Sequence, residues 1–175
     1  AENWETLSPL RDIKIASKQH VVMGIDVKDY PVVKHKFNPK GQRKFFYIGH
    51  TAWYKNTQEL EKIAAALPGF MGAHIGGGEV RGWKKISDFA SLTPEFMTKI
   101  AAEYDIFVNT SSADAQATTI LEQMCFGFVV ATTREAGYNH PSLVTLSTTD
   151  TAKNVAVLER LQQAEESELL AIAAA

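Results

Sequence analysis

The chain has 175 residues, 45% of them hydrophobic and 22% charged, with a formal net charge of -2 at pH 7. That is enough chain for one domain with its own core, an ordinary globular composition, and too little positive charge for a general nucleic-acid binder. One cysteine, Cys125, excludes an internal disulfide framework and fits a reducing compartment, and no apolar run approaches the roughly 20 residues that span a bilayer.

Residues 1–19 are mixed and polar, and read as an N-terminal extension or inter-domain segment ahead of a domain over 20–175. Ala1-Glu2-Asn3-Trp4-Glu5 has no signal-peptide character; the expectation is a chain that begins partway through a longer protein. Val21-Val22-Met23-Gly24 is a short apolar run stopped by glycine. From Asp26 to Lys44 the chain is polar and carries Pro31, Pro39 and Gly41. Its cluster of Lys34, Lys36, Lys40, Arg43 and Lys44 reads as a solvated loop, with an anionic membrane or phosphate contact as the sharper alternative.

Beyond Lys44 strands and helices alternate. Phe45-Phe46-Tyr47-Ile48 predicts a buried strand ending at Gly49. Thr57 to Leu67 places Leu60, Ile63, Ala64 and Leu67 at helical spacing, and Pro68-Gly69 stops it. Phe70 to Ile75 predicts a strand closed by Gly76-Gly77-Gly78, and Ile86 to Leu92 a shorter one. Thr93-Pro94-Glu95 is a helix start: a hydroxyl cap, proline at the first position, then an acid facing the dipole. Phe96, Met97, Ile100, Ala101 and Tyr104 stripe that helix, and Asp105 to Val108 predicts a strand after it. The next helix is expected to begin at Asp114, with Ala117, Ile120, Leu121, Met124 and Cys125 on its apolar face and Gly127 at its end. Phe128 to Ala131 and Leu143 to Leu146 predict two more strands, and Thr151 to Leu170 one terminal helix with an acidic middle, Glu165-Glu166-Ser167-Glu168.

Apolar strands alternating with amphipathic helices imply an α/β fold: a Rossmann-like parallel sheet with helices on both faces. Ligands of such sheets bind at the carboxyl ends of the strands. Three segments gather at that edge: Gly49 onward, Gly76 to Gly78, and Asn109 onward. In the first, Gly49 allows a sharp turn, and Lys55 precedes a helix whose first N–H groups favour anions; together they suit a diphosphate. In the second, Gly77 and Gly78 permit close backbone contact with a ligand, and the bordering Glu79 and Arg81 are within reach of a bound nucleotide. In the third, Asp114 and Glu122 are separated by seven residues. At about 1.5 Å rise per residue they lie roughly 12 Å apart on a helix, too far to share a proton or a metal but suited to two parts of one long ligand. The five histidines are scattered, and none pairs with another His or with Cys125 at metal-ligand spacing. Cys125 reads as a core residue, and there is no GxSxG nucleophile motif.

Taken in order, these segments resemble the C-terminal, donor-binding domain of GT-B glycosyltransferases, the retaining family 4 in particular. Val22 to Asp26 is similar to that family's entry into its second domain. Tyr47-Ile48-Gly49-His50 with Lys55-Asn56 resembles its glycine–arginine then lysine motif. Ala73 to Gly78 resembles its strand and glycine turn, and Tyr104 to Ser111 its strand into a proline–serine loop. Asp114 through Thr132 resembles the E-x7-E motif and the strand that follows it. The resemblance spans roughly residues 21–140. It implies that Gly49, His50 and Lys55 hold the donor diphosphate, with Glu122 taking the ribose hydroxyls beside Gly77, Gly78 and Arg81. Ser112, Ala113, Asp114 and Ala115 then lie near the transferred sugar, with Asp114 as the catalytic carboxylate.

The resemblance further implies a hexosyltransferase acting in glycan or polysaccharide synthesis. Its donor is a UDP-, GDP- or ADP-sugar, with no metal and no other cofactor. The expected location is cytoplasmic, with peripheral contact at the inner face of the membrane through the full-length protein. Its acceptor-binding N-terminal domain is missing here, so this half is expected to bind donor without turning over alone. Three positions depart from the family pattern. His50 stands for its arginine and cannot fork to phosphate. Asp114 stands for its first glutamate, one methylene shorter, and Arg134 to Asn139 replace its double-glycine turn. The rival readings are a GT-B nucleotide-sugar epimerase and a non-catalytic nucleotide-binding or interaction domain. A receiver domain is disfavoured because Asp105 begins its strand instead of ending it.

Overall fold

Six short strands pair side by side, all parallel. In chain order they are β1 (Phe45–Ile48), β2 (Gly72–Ile75), β3 (Lys84–Ser87), β4 (Ile106–Asn109), β5 (Val129–Thr133) and β6 (Val144–Leu146). Their order across the sheet is β3-β2-β1-β4-β5-β6, with Phe45 level with both Gly72 and Ile106 and Val129 level with Ile106. The computed structural model describes residues 23–174; the extension expected over 1–19 and the Val21-Val22 start of the first apolar run lie outside them. Every residue of β1, β4 and β5 is buried, as expected of central parallel strands covered on both faces.

The covering helices are α1 (Thr57–Ala66), α2 (Pro94–Glu103), α3 (Thr118–Cys125), α4 (Thr151–Gln163) and α5 (Glu166–Ala174). Strand alternation sorts the core into two layers. Phe45, Tyr47, Ile106, Val108, Val129 and Ala131 face Leu60 and Ile63 of α1, Leu158 and Leu161 of α4 and Leu169 of α5. Phe46, Ile48, Phe107, Phe128 and Val130 face Met97 and Ile100 of α2 and Ile120 of α3. The start of α2 is as expected: Thr93 Oγ1 accepts from the Phe96 N–H at 3.3 Å, and Pro94 is the first helical residue. No helix among the described residues is long and apolar enough to cross a membrane.

Four expectations need correction. The basic cluster of the connector is not a solvated loop throughout, because Lys34 and Arg43 are buried. The Lys34 ammonium meets Asp105 at 2.8 Å and donates to the Ala101 carbonyl at 2.8 Å. Asp105 also accepts from the Asn38 backbone and side chain, both at 2.8 Å, and from the Lys44 N–H at 2.9 Å. Burial pushes the Lys34 ammonium below its usual pKa, and Asp105 opposes that shift. A buried charge is tolerated only when paired and hydrogen-bonded in this way.

Arg43 accounts for the second correction, the splitting of the terminal helix. Its guanidinium donates to the Leu161 carbonyl at 3.0 Å and to the Ala164 carbonyl, taking acceptors that end α4, and Ala164 turns extended. The acidic run is therefore not mid-helix. Glu166 and Glu168 sit in the first turn of α5, where the dipole favours negative charge. Third, the strand expected over Ile86–Leu92 lies earlier, at Lys84–Ser87, where its backbone pairs with β2. Fourth, α3 begins at Thr118, with Ala117 as its cap, so Asp114 is in the preceding loop. Its buried face holds Ile120 and Gln123, while Leu121, Met124 and Cys125 are only half-buried.

Candidate functional site

The sheet order reverses direction between β1 and β4, and the crevice at such a switch point is where open α/β sheets bind ligands. Its two walls are the loop after β1, Gly49 to Asn56, and the loop after β4, Thr110 to Ala117. The β1 loop is built by its own polar groups. The Tyr47 hydroxyl donates to the His50 carbonyl at 2.9 Å. Residues Trp53–Lys55 form a single 3-10 turn, and Asn56 closes it in the left-handed conformation at φ 51°. Asparagine tolerates that conformation better than most residues.

The two loops are stitched together. Ser112 N donates to the Tyr54 carbonyl at 2.8 Å, and the Thr110 hydroxyl donates to the Asn56 carbonyl at 3.1 Å. The Lys55 ammonium and the Asp114 carboxylate then meet across the crevice, each mostly shielded from solvent. The structure thus brings Lys55, Ser112 and Asp114 to one place, although Asp114 does not cap a helix. Helical rise no longer sets its distance from Glu122.

A second backbone contact fixes the far side of the β4 loop. Asp114 N donates to the Glu135 carbonyl at 2.9 Å, and Ala117 N to the Ala136 carbonyl at 3.3 Å. Gly137, at φ +95°, lies so close that a Cβ there would stand 2.5 Å from the Ala115 carbonyl oxygen. This short ladder carries Tyr138 to the Asp114 side of α3. The Tyr138 hydroxyl is buried without a hydrogen-bond partner. Burial, with Asp114 and Glu122 nearby, pushes its pKa up to about 12. Glu122, in the second turn of α3, is half-buried. Burial raises its carboxyl pKa, while the nearby Tyr30 hydroxyl pulls it back. Asp114 and Glu122 thus both bear on the Tyr138 hydroxyl, and Tyr30 bears on Glu122.

The glycine turn borders the same crevice. Gly76 N donates to the Ser87 carbonyl at 2.9 Å. At φ +139° a Cβ on Gly76 would lie 2.0 Å from the Gly49 carbonyl oxygen, so only glycine lets the two loops pass. Gly78 packs against the Thr51 side chain, and Gly77 faces open space.

Other expected site residues are placed differently. His50 is in the right loop, but both ring nitrogens are engaged inside it. Nδ1 accepts from Ala52 N at 3.3 Å, and Nε2 lies 3.1 Å from the Tyr54 hydroxyl. With Nδ1 accepting, the proton of the neutral ring sits on Nε2, directed at Tyr54. Arg81 is not brought to the crevice. Its side chain is 90% exposed and 3.9 Å from Glu61 on α1, and Glu79 pairs loosely with Lys85. Ala113 and Ala115 flank Asp114, half-buried. Sequence reasoning missed Tyr30, Tyr54 and Tyr138. Among the described residues no group of three or more His, Cys, Asp or Glu side chains is arranged to hold a metal ion.

No protein-family model and no curated protein matches the chain in sequence. Solved structures match it in shape. The C-terminal domain of the glycosyl transferase group 1 family protein LpcC from Francisella tularensis aligns with a TM-score of 0.62 at 17% identity, over 86% of this chain and 93% of that one. Sucrose-phosphate synthase from Thermosynechococcus elongatus aligns with a TM-score of 0.70 at 13% identity, over 98% of this chain and 49% of that one. The lipopolysaccharide outer core galactosyltransferase WaaB gives 0.60 at 16% identity, over 96% and 52%. The chain therefore spans about half the length of the latter two proteins and nearly all of the isolated domain. It has the fold of the C-terminal domain of a GT-B glycosyltransferase.

Proposed function

We propose that this chain is the donor-binding half of a glycosyltransferase, holding a nucleoside-diphosphate sugar at the β1/β4 switch point. The observation that carries the reading is the meeting of Lys55 and Asp114 across that crevice. A lysine from one wall and a carboxylate from the other supply the two polarities that a phosphorylated sugar needs. Lys55 neutralises the diphosphate, and the first N–H groups of α3 stabilise charge building on it as the sugar leaves. Asp114, with the backbone of Ser112 to Ala115, contacts the sugar. Glu122 accepts from the ribose hydroxyls, and the open backbone at Gly77 and Gly78 admits the nucleotide. The donor is a UDP-, GDP- or ADP-sugar, and the acceptor and its binding groups belong to a second domain.

Calorimetric titration with UDP-, GDP- and ADP-glucose tests this. One nucleotide family binds, and both Lys55→Ala and Glu122→Ala weaken it at least tenfold, the worth of one or two charge-assisted hydrogen bonds. A glycosyl-transfer assay gives no robust turnover by this chain alone; vigorous turnover refutes the half-enzyme reading. A second reading, a non-catalytic nucleotide-binding module, is favoured by the engagement of both His50 nitrogens within its own loop. Restoring an arginine with His50→Arg separates the two, because tighter diphosphate binding points to the donor site.

A further inference from the structure

Lys55 is already paired with Asp114. A diphosphate arriving at that ammonium brings negative charge against the Asp114 carboxylate inside a largely shielded crevice, and like charges at that range repel. Asp114 must therefore have a second place to go. We propose that Tyr138 is a positioning residue of this site, the partner to which Asp114 turns when a phosphate takes over Lys55. The proposal rests on the donor-site reading above.

Three observations carry it. The ladder from Asp114 to Glu135 and from Ala117 to Ala136, with Gly137 pressed on Ala115, holds Tyr138 beside the Asp114 loop. The Tyr138 hydroxyl is buried and bonded to nothing, an arrangement that costs free energy and that proteins keep mainly where a function needs it. A rival donor, the Tyr47 hydroxyl, is spent on the His50 carbonyl. Burial and the two flanking carboxylates, Asp114 and Glu122, keep the Tyr138 hydroxyl protonated at neutral pH, so it stays a donor. Exchange then moves one hydrogen bond. The phosphate oxygens accept from Lys55, and Asp114 accepts from Tyr138. The carboxylate is left oriented toward the sugar instead of buried under the phosphate.

The test is a double-variant cycle on the chain, with inorganic diphosphate and with UDP, GDP and ADP as probes, read by calorimetry. Tyr138→Phe weakens diphosphate binding by about three- to tenfold, the range of one hydrogen bond, and does not lower the melting temperature of the empty chain. Asp114→Asn removes the competitor for Lys55 and tightens binding of these sugar-free probes. In the Asp114→Asn background Tyr138→Phe changes nothing further. In chain labelled at tyrosine 13Cζ, the resonance lost in Tyr138→Phe moves downfield when inorganic diphosphate is added. Unchanged affinity in Tyr138→Phe, or the same loss in the Asp114→Asn background, overturns the exchange. Inorganic diphosphate binding with the full cycle, but no preference for any nucleoside diphosphate, sinks the donor-site reading and leaves the exchange standing. A chain that binds none of the probes sinks both.

Discussion

Replacing Glu122 by glutamine separates function from stability at this site. Burial raises the Glu122 carboxyl pKa, the largest influence on it, and the Tyr30 hydroxyl only partly offsets that. The fold therefore holds the Glu122 proton more tightly than the unfolded chain does. As pH rises from the ordinary carboxyl range through the raised folded value, the folded chain has more protons to lose, so this group's contribution to stability falls. Above that window the ionised carboxylate is a net cost, which Glu122→Gln removes while keeping an oxygen for Tyr30. The melting temperature of Glu122→Gln at pH 7 is then equal to or above that of the wild type, and the difference closes below about pH 4, near the ordinary carboxyl pKa. Binding moves the other way. A charged acceptor is worth about twice a neutral one, so about 1.4 kcal/mol of nucleotide affinity is lost, close to tenfold. Thermal denaturation at both pH values and calorimetry on the same samples read the two effects. A melting temperature that drops by more than about 2 °C at pH 7 with affinity intact would mean that Glu122 is scaffolding, and the ribose assignment would be wrong.

Two further outcomes follow from the packing. Asp105→Ala strands the Lys34 ammonium in the core and takes acceptors from the Asn38 and Lys44 N–H groups; it costs about 3–5 kcal/mol in urea denaturation. Lys34→Met combined with Asp105→Asn recovers much of that loss, and a double variant as unstable as the single one would contradict the ion-pair account. Gly76→Ala puts a methyl group against the Gly49 carbonyl oxygen and strains a positive φ. It costs about 1–3 kcal/mol and reduces nucleotide affinity, because the two loops can no longer pass. Wild-type affinity in Gly76→Ala would show that the glycine turn does not shape the crevice.

The central strands were legible because burial on both faces leaves an unmistakable signal. Phe45 to Ile48, Ile106 to Val108 and Val129 to Ala131 are unbroken apolar runs, and parallel central strands are made of such runs. The Thr93-Pro94 start was legible because its signal is local, one hydroxyl and one proline at fixed offsets. What failed depended on distant partners. Nothing near Lys34 or Arg43 in sequence announces Asp105, or the carbonyls of Leu161 and Ala164, more than sixty positions away. A lysine-rich loop therefore read as solvated. The break between α4 and α5 has no proline or glycine and is made by that same arginine. At the site, the motif types were readable from Gly49, Lys55, Asp114 and Glu122, and the structure brings Lys55 to Asp114. Tyr138 was invisible, because its place is set by a backbone ladder between two loops and by a glycine pressed against a carbonyl.

The two edges of the sheet are finished differently, and the difference has a physical meaning. At the amino edge two buried charges are satisfied: Asp105 accepts from Lys34, Asn38 and Lys44, and Arg43 is spread over the end of α4. At the carboxyl edge, His74 Nδ1, Ser87 Oγ, Asn109 Nδ2, Ser111 Oγ and the Tyr138 hydroxyl are buried without partners. They belong to the ends of β2, β3 and β4 or to the loops after β4 and β5. Unpaired buried groups are destabilising wherever they occur. Gln123, late in α3, is the one other buried side chain without a partner among the described residues; the rest gather at the carboxyl edge, as happens where a surface is shaped to receive something polar. A ligand that supplies acceptors and donors to this edge pairs these groups and recovers that free energy on binding. Binding should therefore stabilise the fold beyond what the contacts of Lys55 and Glu122 alone would contribute. The increase in melting temperature on saturating with the bound nucleotide, compared between wild type and Lys55→Ala at matched fractional occupancy, measures that surplus directly.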